Sequence, residues 1–519
     1  MLLRVTIACL IFPALLAGCR KGFVSLNTNP DLTTASQINF NYLFSNAELQ
    51  TSGNTDGNGY EDWRNNLIYS GCMVQHLSST LSYWDGDKYL YNPTYNSAYW
   101  DENYPNSIAN IEEVITHTQN DTAAYNLYQI ARIFRAFMFQ RMTDMYGDCP
   151  YAQAGQAVTS GTFYPRYDRQ QDIYSGLLQE LNDAAGKLDS TKPNTAGSAD
   201  LLYGGNIAAW KKFAFSEMVR LAMRMCKVAP DSAHVWVNRA VQGGVMSSYT
   251  DNAIIRHQAV TGTPVVNGSG LIFVSNDPNG YRLSETFVNC LRNTADPRLG
   301  FLGTVCSDPT NPGDMGDTAK SLQLGQPNGY DPAYSGTTYD LVNAANWRGN
   351  ANSYSVVNRY TFARLDAPTF FLTAAETQLL LAEAAERNWI NGDPAAYFNA
   401  GVTAAMQQLA QQAGAGPSTD AITAWLAANP CNRTLEQINT QYWIAGFMDE
   451  NECFANWRRS GYPSLAPVSY PGNVTNSTIP RRFTYPQTEA STNTANYNAA
   501  VSRLPGGDKM TSRMWWDTP

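Results

Sequence analysis

Apolar residues recur every three to four positions over most of this chain, and the period breaks off in one long central stretch. Leu127, Ile130, Phe134, Phe137 and Met138 line one stripe of a helix predicted from Thr122 to Tyr146, stopping at Gly147. Ile173, Leu177, Leu178 and Leu181 mark another, with Asp168 as its N-cap, running to Leu188. The same spacing predicts helices at 43–49, 63–76 and 104–117, and a hairpin of 206–226 and 231–242 turned by Ala229-Pro230-Asp231. It returns at 368–388 and 394–413 around an Asn391-Gly392-Asp393 turn, then at 420–428 and 434–459. Residues 51–62 read as a loop, and 83–104 as a strongly aromatic stretch. Between 250 and 350 the period gives way to Asn, Gly, Pro and Ser with short β-like runs such as Gly270 to Ser275. This is a loop-rich insertion, not a second core. The tail from Ser460 is irregular.

The hairpin from Thr373 to Met406 is alanine-rich and 34 residues long, with small residues where two helices must approach closely. That is the size of a tetratricopeptide unit, which buries its apolar face on the next copy. Residues 206–242 form a weaker copy. The expected fold is mainly α: tetratricopeptide-like helical hairpins in a superhelix, with long loops and minor β-hairpins.

At the N-terminus the pattern changes to a continuous apolar run. Arg4 gives a short basic start, Val5 to Leu16 is broken only by Thr6 and Pro13, and Leu16-Ala17-Gly18-Cys19 closes it. A membrane span needs about 20 apolar residues, and this run is shorter and interrupted. A secretory signal fits. A cysteine directly after two small residues is the lipobox pattern, in which the new terminal thiol receives diacylglycerol. The chain divides into a signal at 1–18, a lipidated tether at 19–40 anchored through Cys19, and one helical binding domain at 41–519. Several acyl chains suffice for stable anchoring, at ~0.8 kcal/mol per buried methylene.

Composition narrows the function. The formal charge of −9 becomes −10 when the signal, with Arg4 as its one charged residue, is removed. A mildly acidic chain without a basic block is a poor partner for nucleic acid. Seven cysteines remain after Cys9 and Cys19, widely spaced and without a C-x-x-C pair, and read as buried small residues. His76, His117, His234 and His257 lie too far apart for helical zinc spacing, so neither metal nor other cofactor is expected. Thirty Tyr and twelve Trp, against 15% charged residues, describe a surface of flat amphipathic rings. Such rings suit sugar faces and peptide backbones.

Several motifs fall in a telling order: Leu26-Asn27-Thr28-Asn29-Pro30, Thr143-Asp144-Met145-Tyr146-Gly147-Asp148, Tyr203-Gly204-Gly205-Asn206 before Trp210, and Ala295-Asp296-Pro297-Arg298. Leu372-Thr373-Ala374-Ala375-Glu376, Leu381-Ala382-Glu383-Ala384, Trp457-Arg458-Arg459-Ser460-Gly461, Ile479-Pro480-Arg481-Arg482 and Trp515-Trp516-Asp517 complete the series. Together with the lipobox they resemble the SusD/RagB family of nutrient-binding outer-membrane lipoproteins of Bacteroidetes, over essentially the whole mature chain. The resemblance implies a surface binding protein, not an enzyme. It implies a lid over a SusC-like TonB-dependent transporter, capturing an oligosaccharide or an oligopeptide. Family members often carry acidic residues after the anchor cysteine, where this chain has Arg20-Lys21-Gly22.

Trp84 and Tyr83, beside Asp85-Gly86-Asp87, read as a loop tip offering rings to a ligand; Trp347, with Tyr334 and Tyr339 nearby, is the second candidate. The competing reading is that these rings pack the helices or dock on the transporter. Glu376 and Glu383 lie two turns apart, roughly 10 Å along a helix, and invite comparison with a glycosidase pair. Glu383 sits in an alanine-rich packing helix, however, where pairing with an arginine is the simpler role. Residues 54–59 imitate the start of a calcium loop, but the twelfth position is Asn65 in place of a bidentate Glu. Arg458-Arg459 reads as a structural pair near a helix C-terminus. The expected function is oligosaccharide capture at the outer membrane, with peptide capture, or an exported helical glycoside hydrolase, as the alternatives.

Overall fold

Polar punctuation sets the helix ends. In the computed structural model, which describes residues 38–519, helix α1 spans Phe40–Gln50 and a π-helical segment spans Asp62–Gly71. Then come β1 (Leu77–Ser79), α2 (Pro93–Asn103), α3 (Ala109–Thr118), α4 (Tyr125–Tyr146) and α5 (Gln170–Lys187). Helix α4 ends where expected, at Gly147, whose φ of +81° suits a residue without a Cβ. The signal, Cys19 and the tether as far as residue 37 lie outside the described residues. No described helix is long and apolar enough to cross a membrane.

Helical hairpins form the body. Helices α6 (Ile207–Arg224) and α7 (Pro230–Gly243) pack as one antiparallel pair; its first helix opens on the Asn206 side chain, which accepts from Ala208 and Ala209 N–H. The insertion then contributes β2 (Ala253–Ile255), β3 (Tyr281–Leu283), α8 (Glu285–Asn293), β4 (Gly303–Thr304) and β5 (Val356–Val357). After β6 (Thr369–Leu372) come α9 (Ala374–Glu386) and α10 (Pro394–Gln407), the alanine-rich hairpin. Thr373 and Glu376 form a reciprocal capping box at the start of α9. Gly401 explains the small residues: a Cβ there would stand 2.7 Å from Leu379 Cγ. Helices α11 (Thr419–Ala428), α12 (Leu435–Ala445), α13 (Glu450–Ser460) and α14 (Thr494–Val501) complete the set of helices of eight residues or more. Two two-stranded antiparallel ladders, β1–β3 and β2–β6, stitch the insertion to the body, and a third, β4–β5, closes on itself.

Five local expectations are corrected. The aromatic stretch is not all loop: Asn92 caps α2 by accepting from Thr94 and Tyr95 N–H, and Pro93 opens it, so Tyr95, Tyr99 and Trp100 ride on a helix. Asp168 does not cap α5. Arg169 holds that place, and the Asp168 carboxylate accepts from Ala152 N–H at 2.7 Å instead. Gly270 to Ser275 is a helical turn running into a π turn, because Asn267 caps it by accepting from Gly270 N–H. Thr369–Leu372 is strand, not helix, since the capping box starts α9 only at Ala374. The helix expected over 434–459 breaks at Gly446–Asp449, where Met448 has φ +81° and Asp449 caps α13.

The helices close around a buried polar network. Glu452 accepts from Arg224 (2.5 Å) and Tyr442 (2.7 Å), and Arg224 reaches Asp144 at 3.2 Å. Asp144 also accepts from Trp516 Nε1 (3.1 Å) and the Tyr174 hydroxyl. Arg459, 1% exposed, grips Glu383 through both terminal nitrogens at 2.7 and 2.8 Å. Arg459 is therefore a buried ion-pair partner, and its link to the helix dipole is secondary. Breaking such a pair costs ~3–5 kcal/mol because the survivor stays buried and charged. The seven cysteines within the described residues are free thiols, five of them buried.

Candidate functional site

The loop that follows β1 places the rings expected from sequence, and it treats neighbours oppositely. Trp84 is fully buried: its Nε1 donates to Asp277 at 2.6 Å and its ring stacks on Tyr281 at 6.0 Å. It is a packing ring, so its expected place as an exposed ligand contact is corrected. A buried carboxylate needs that donor, and a buried indole needs an acceptor. Tyr83, the residue before Trp84, is 44% exposed. Burial, then Asp277, raises its phenol well above the ordinary range.

Asp277 organises a wider platform. Burial raises its carboxyl, opposed by the donors of Trp84, Tyr83 and Trp63, which places Trp63 beside the same group. Trp63 and Arg64 sit at the start of the π-helical segment, both half-buried. The Arg64 guanidinium lies 3.7 Å over the Tyr60 ring and 5.0 Å from that of Trp63. Asn276 Nδ2 donates to Asn58 O at 3.1 Å, tying the loop before Tyr60 to the segment carrying Asp277. Arg64 Nε makes no hydrogen bond within the chain, although it is shielded from solvent, and the Trp63 indole is turned toward the Asp277 carboxylate. In the sequence Trp63 marks only the start of a predicted helix over 63–76, and nothing local joins it to Asp277, which lies far along the chain.

A second aromatic group lies on the other side of Tyr83. Tyr334, Tyr339 and Tyr470 meet edge to face, with centroids 5.3–5.8 Å apart. Asp331 fastens them: it accepts from Ser82 Oγ (2.6 Å) and the Tyr470 hydroxyl (2.8 Å), and pairs with Lys88 at 3.1 Å. Burial would raise the Asp331 carboxyl, but these partners outweigh it and its pKa is lowered. Tyr83 and Tyr334 are thus brought to adjoining loops by one carboxylate. Trp347 is not joined to them. It is half-buried and tilts on Tyr354 at 6.3 Å.

The remaining chemical candidates are occupied by the fold. Glu383 is held by Arg459 and Arg387, which pull its carboxyl to about 2 against the burial that would raise it. Glu376 serves the capping box and faces Arg220 at 3.3 Å. Neither has the exposed carboxylate partner that glycoside hydrolysis needs. Asn54 of the calcium-like loop accepts from Gly59 N–H (2.7 Å) and donates to Val266 O (2.9 Å), so its amide is spent on backbone.

A mainly helical scaffold presenting clustered rings on loops defines a class of binding proteins. The comparisons give the family. A SusD-like family model, described as starch-binding and associating with the outer membrane, matches residues 32–486, and the chain belongs to that family. Among solved structures it is similar to a "chitin-binding protein", 34% identical, with a TM-score of 0.81, covering 93% of this chain and all of the other. A "Bacteroidetes AC2a SusD-like" structure is 28% identical with a TM-score of 0.80, covering 93% of this chain and all of the other. A chitin-binding SusD homolog from Flavobacterium johnsoniae is 22% identical with a TM-score of 0.75, covering 92% of this chain and 99% of that one. No curated protein matches.

Proposed function

We propose that this protein captures a glycan at the outer membrane without cleaving it, and passes it to a SusC-like TonB-dependent transporter. The mature chain is held by lipid on Cys19 and faces outward. The observation that carries this reading is the platform around Asp277. Tyr60 and Trp63 flank the Arg64 guanidinium, and Trp63 and the half-exposed Tyr83 gather on the Asp277 carboxylate. Stacking on rings tolerates many sugars. The relative 34% identical over nearly the whole chain carries a chitin-binding name. Chitin-type oligosaccharides are the favoured ligands, with Tyr334 and its tyrosine neighbours as an extension of the site.

Calorimetry on the lipid-free chain 20–519 tests this with chitooligosaccharides, maltooligosaccharides and tripeptides. Binding of the first, weakened about fivefold by Trp63→Ala and again by Tyr83→Ala, is expected at ~1 kcal/mol per ring. Binding of tripeptides alone, or any new reducing end after incubation, would overturn it.

A further inference from the structure

The tail after Ser460, without a period in the sequence, returns to the start of α2. Val474 N–H donates to Tyr89 O at 3.0 Å, and Thr484 N–H to Asn96 Oδ1 at 2.9 Å. Between the tail and Tyr91 this leaves an open cleft of about 410 Å³. That volume lies in the ~300–1,000 Å³ range of small-molecule sites. Tyr91, Tyr485 and Tyr497 line it, with Val474 beside them. Tyr91 is 39% exposed and Val474 49%, so apolar surface faces water here at no evident gain to the fold.

These rings are fixed as the other two clusters are, by one carboxylate. Asp508 pairs with the fully buried Arg482 and accepts from Tyr485 N–H and from the Tyr497 hydroxyl, each at 3.3 Å. Tyr485 and Tyr497 meet edge to face with centroids 5.9 Å apart. The Tyr91 hydroxyl accepts from Gln487 Nε2 at 3.3 Å, which ties the ring before α2 to the helical turn Gln487–Thr492. Asp277, Asp331 and Asp508 thus each hold a separate group of rings, and the third group belongs to neither of the surfaces described above.

The lining selects its occupant by chemistry. Asp508 is already neutralised by Arg482, which leaves a cation little to bind. A wholly apolar molecule would take water from Gln487 and Lys509 at the rim and return nothing. Tyrosine hydroxyls and the Gln487 amide both give and take hydrogen bonds, and Lys509 gives them. A neutral ring with an apolar face and hydroxyls around its edge uses the tyrosine faces and the polar tips together.

We infer that this cleft is a second carbohydrate site, taking one or two neutral sugar rings on Tyr91 and Tyr497, with Gln487 and Lys509 as hydrogen-bonding partners. It shares no residue with the platform around Asp277 and does not depend on what binds there. Saturation-transfer NMR titrations on residues 20–519 test it, with glucose, N-acetylglucosamine, maltose and chitobiose as probes. They are run in a Trp63→Ala/Tyr83→Ala background, so that the platform's own ligand does not decide the result. Transfer to at least one of these sugars should persist in that background, and Tyr91→Ala should weaken it about fivefold. Ala490→Trp, at an exposed position on the cleft wall, should abolish it by filling the space. Both variants alter exposed residues, and an unchanged melting temperature confirms that the fold is kept. Transfer that survives both cleft variants would overturn the inference, as would its loss in the background alone. So would no transfer from any of the four sugars at millimolar concentration.

Discussion

A single indole decides how the loop after β1 is built. Trp84 gives its only donor to Asp277, and Gly280 has to lie close, since a Cβ there would stand 2.3 Å from the Trp84 nitrogen. Trp84→Ala should lower stability by ~3–5 kcal/mol, through the cavity and the abandoned carboxylate. Tyr83→Ala should change stability little. Thermal denaturation of the two variants separates a packing ring from a binding one. The sequence marks both as aromatic and places both at a loop tip, but adjacent residues in an irregular loop face opposite ways for reasons that lie in distant segments. Here the reason is Asp277, almost two hundred positions away, and no local pattern announces it.

Helices with a clean period and a capping residue were legible: α4 with its Gly147 stop, α6 after Asn206, and the α9–α10 hairpin behind Thr373. What escaped were interruptions. The period of 434–459 continues through Gly446–Asp449, yet the chain breaks there because Asp449 is drawn into a fork with Arg141 at 2.8 and 2.5 Å while capping α13. Tertiary pairing overrides propensity at that point. Asp449→Asn keeps an N-cap and loses the charge; Asp449→Ala loses both. Urea unfolding should therefore rank wild type above Asn above Ala, with Ala ~3 kcal/mol or more below wild type. Equal losses for the two variants would mean that the cap contributes nothing.

Across the whole molecule, the motifs that revealed the family belong to its framework. Asp144, Glu383, Arg459 and Trp516, all read from sequence, meet in the buried network, whereas Trp63 and Arg64 belong to no recognised motif. Family membership and fold were therefore readable, whereas of the rings around Asp277 the sequence singled out Tyr83 and Trp84 but not Trp63. The same network sets the response to pH. Arg224 and Arg220 hold Glu452 at about 2, and Arg459 holds Glu383 at about 2, against burial that opposes both. A carboxyl lowered in the folded state contributes stability above its unfolded value near 4.5, lost as pH falls toward 2. His257, lowered to about 4 by burial, adds stability above 6.5 that fades between those values. Asp62, raised to about 7, works the other way, favouring the fold at low pH and giving that up as pH rises through 7. Melting temperatures recorded from pH 3 to 9 should peak in the mildly acidic range. Asp62→Asn should flatten the alkaline limb, and Glu452→Gln the acid one.

Asp331 carries an implication for changing what the protein recognises. One carboxylate clasps side chains from two loops other than its own, so those loops are not independent cassettes. Grafting a specificity loop from a relative would succeed only if Ser82, Lys88 and Tyr470 travelled with it or were matched in the donor. Natural diversification of this surface is then expected to proceed by exchanging the outward rings while conserving the clasp beneath them.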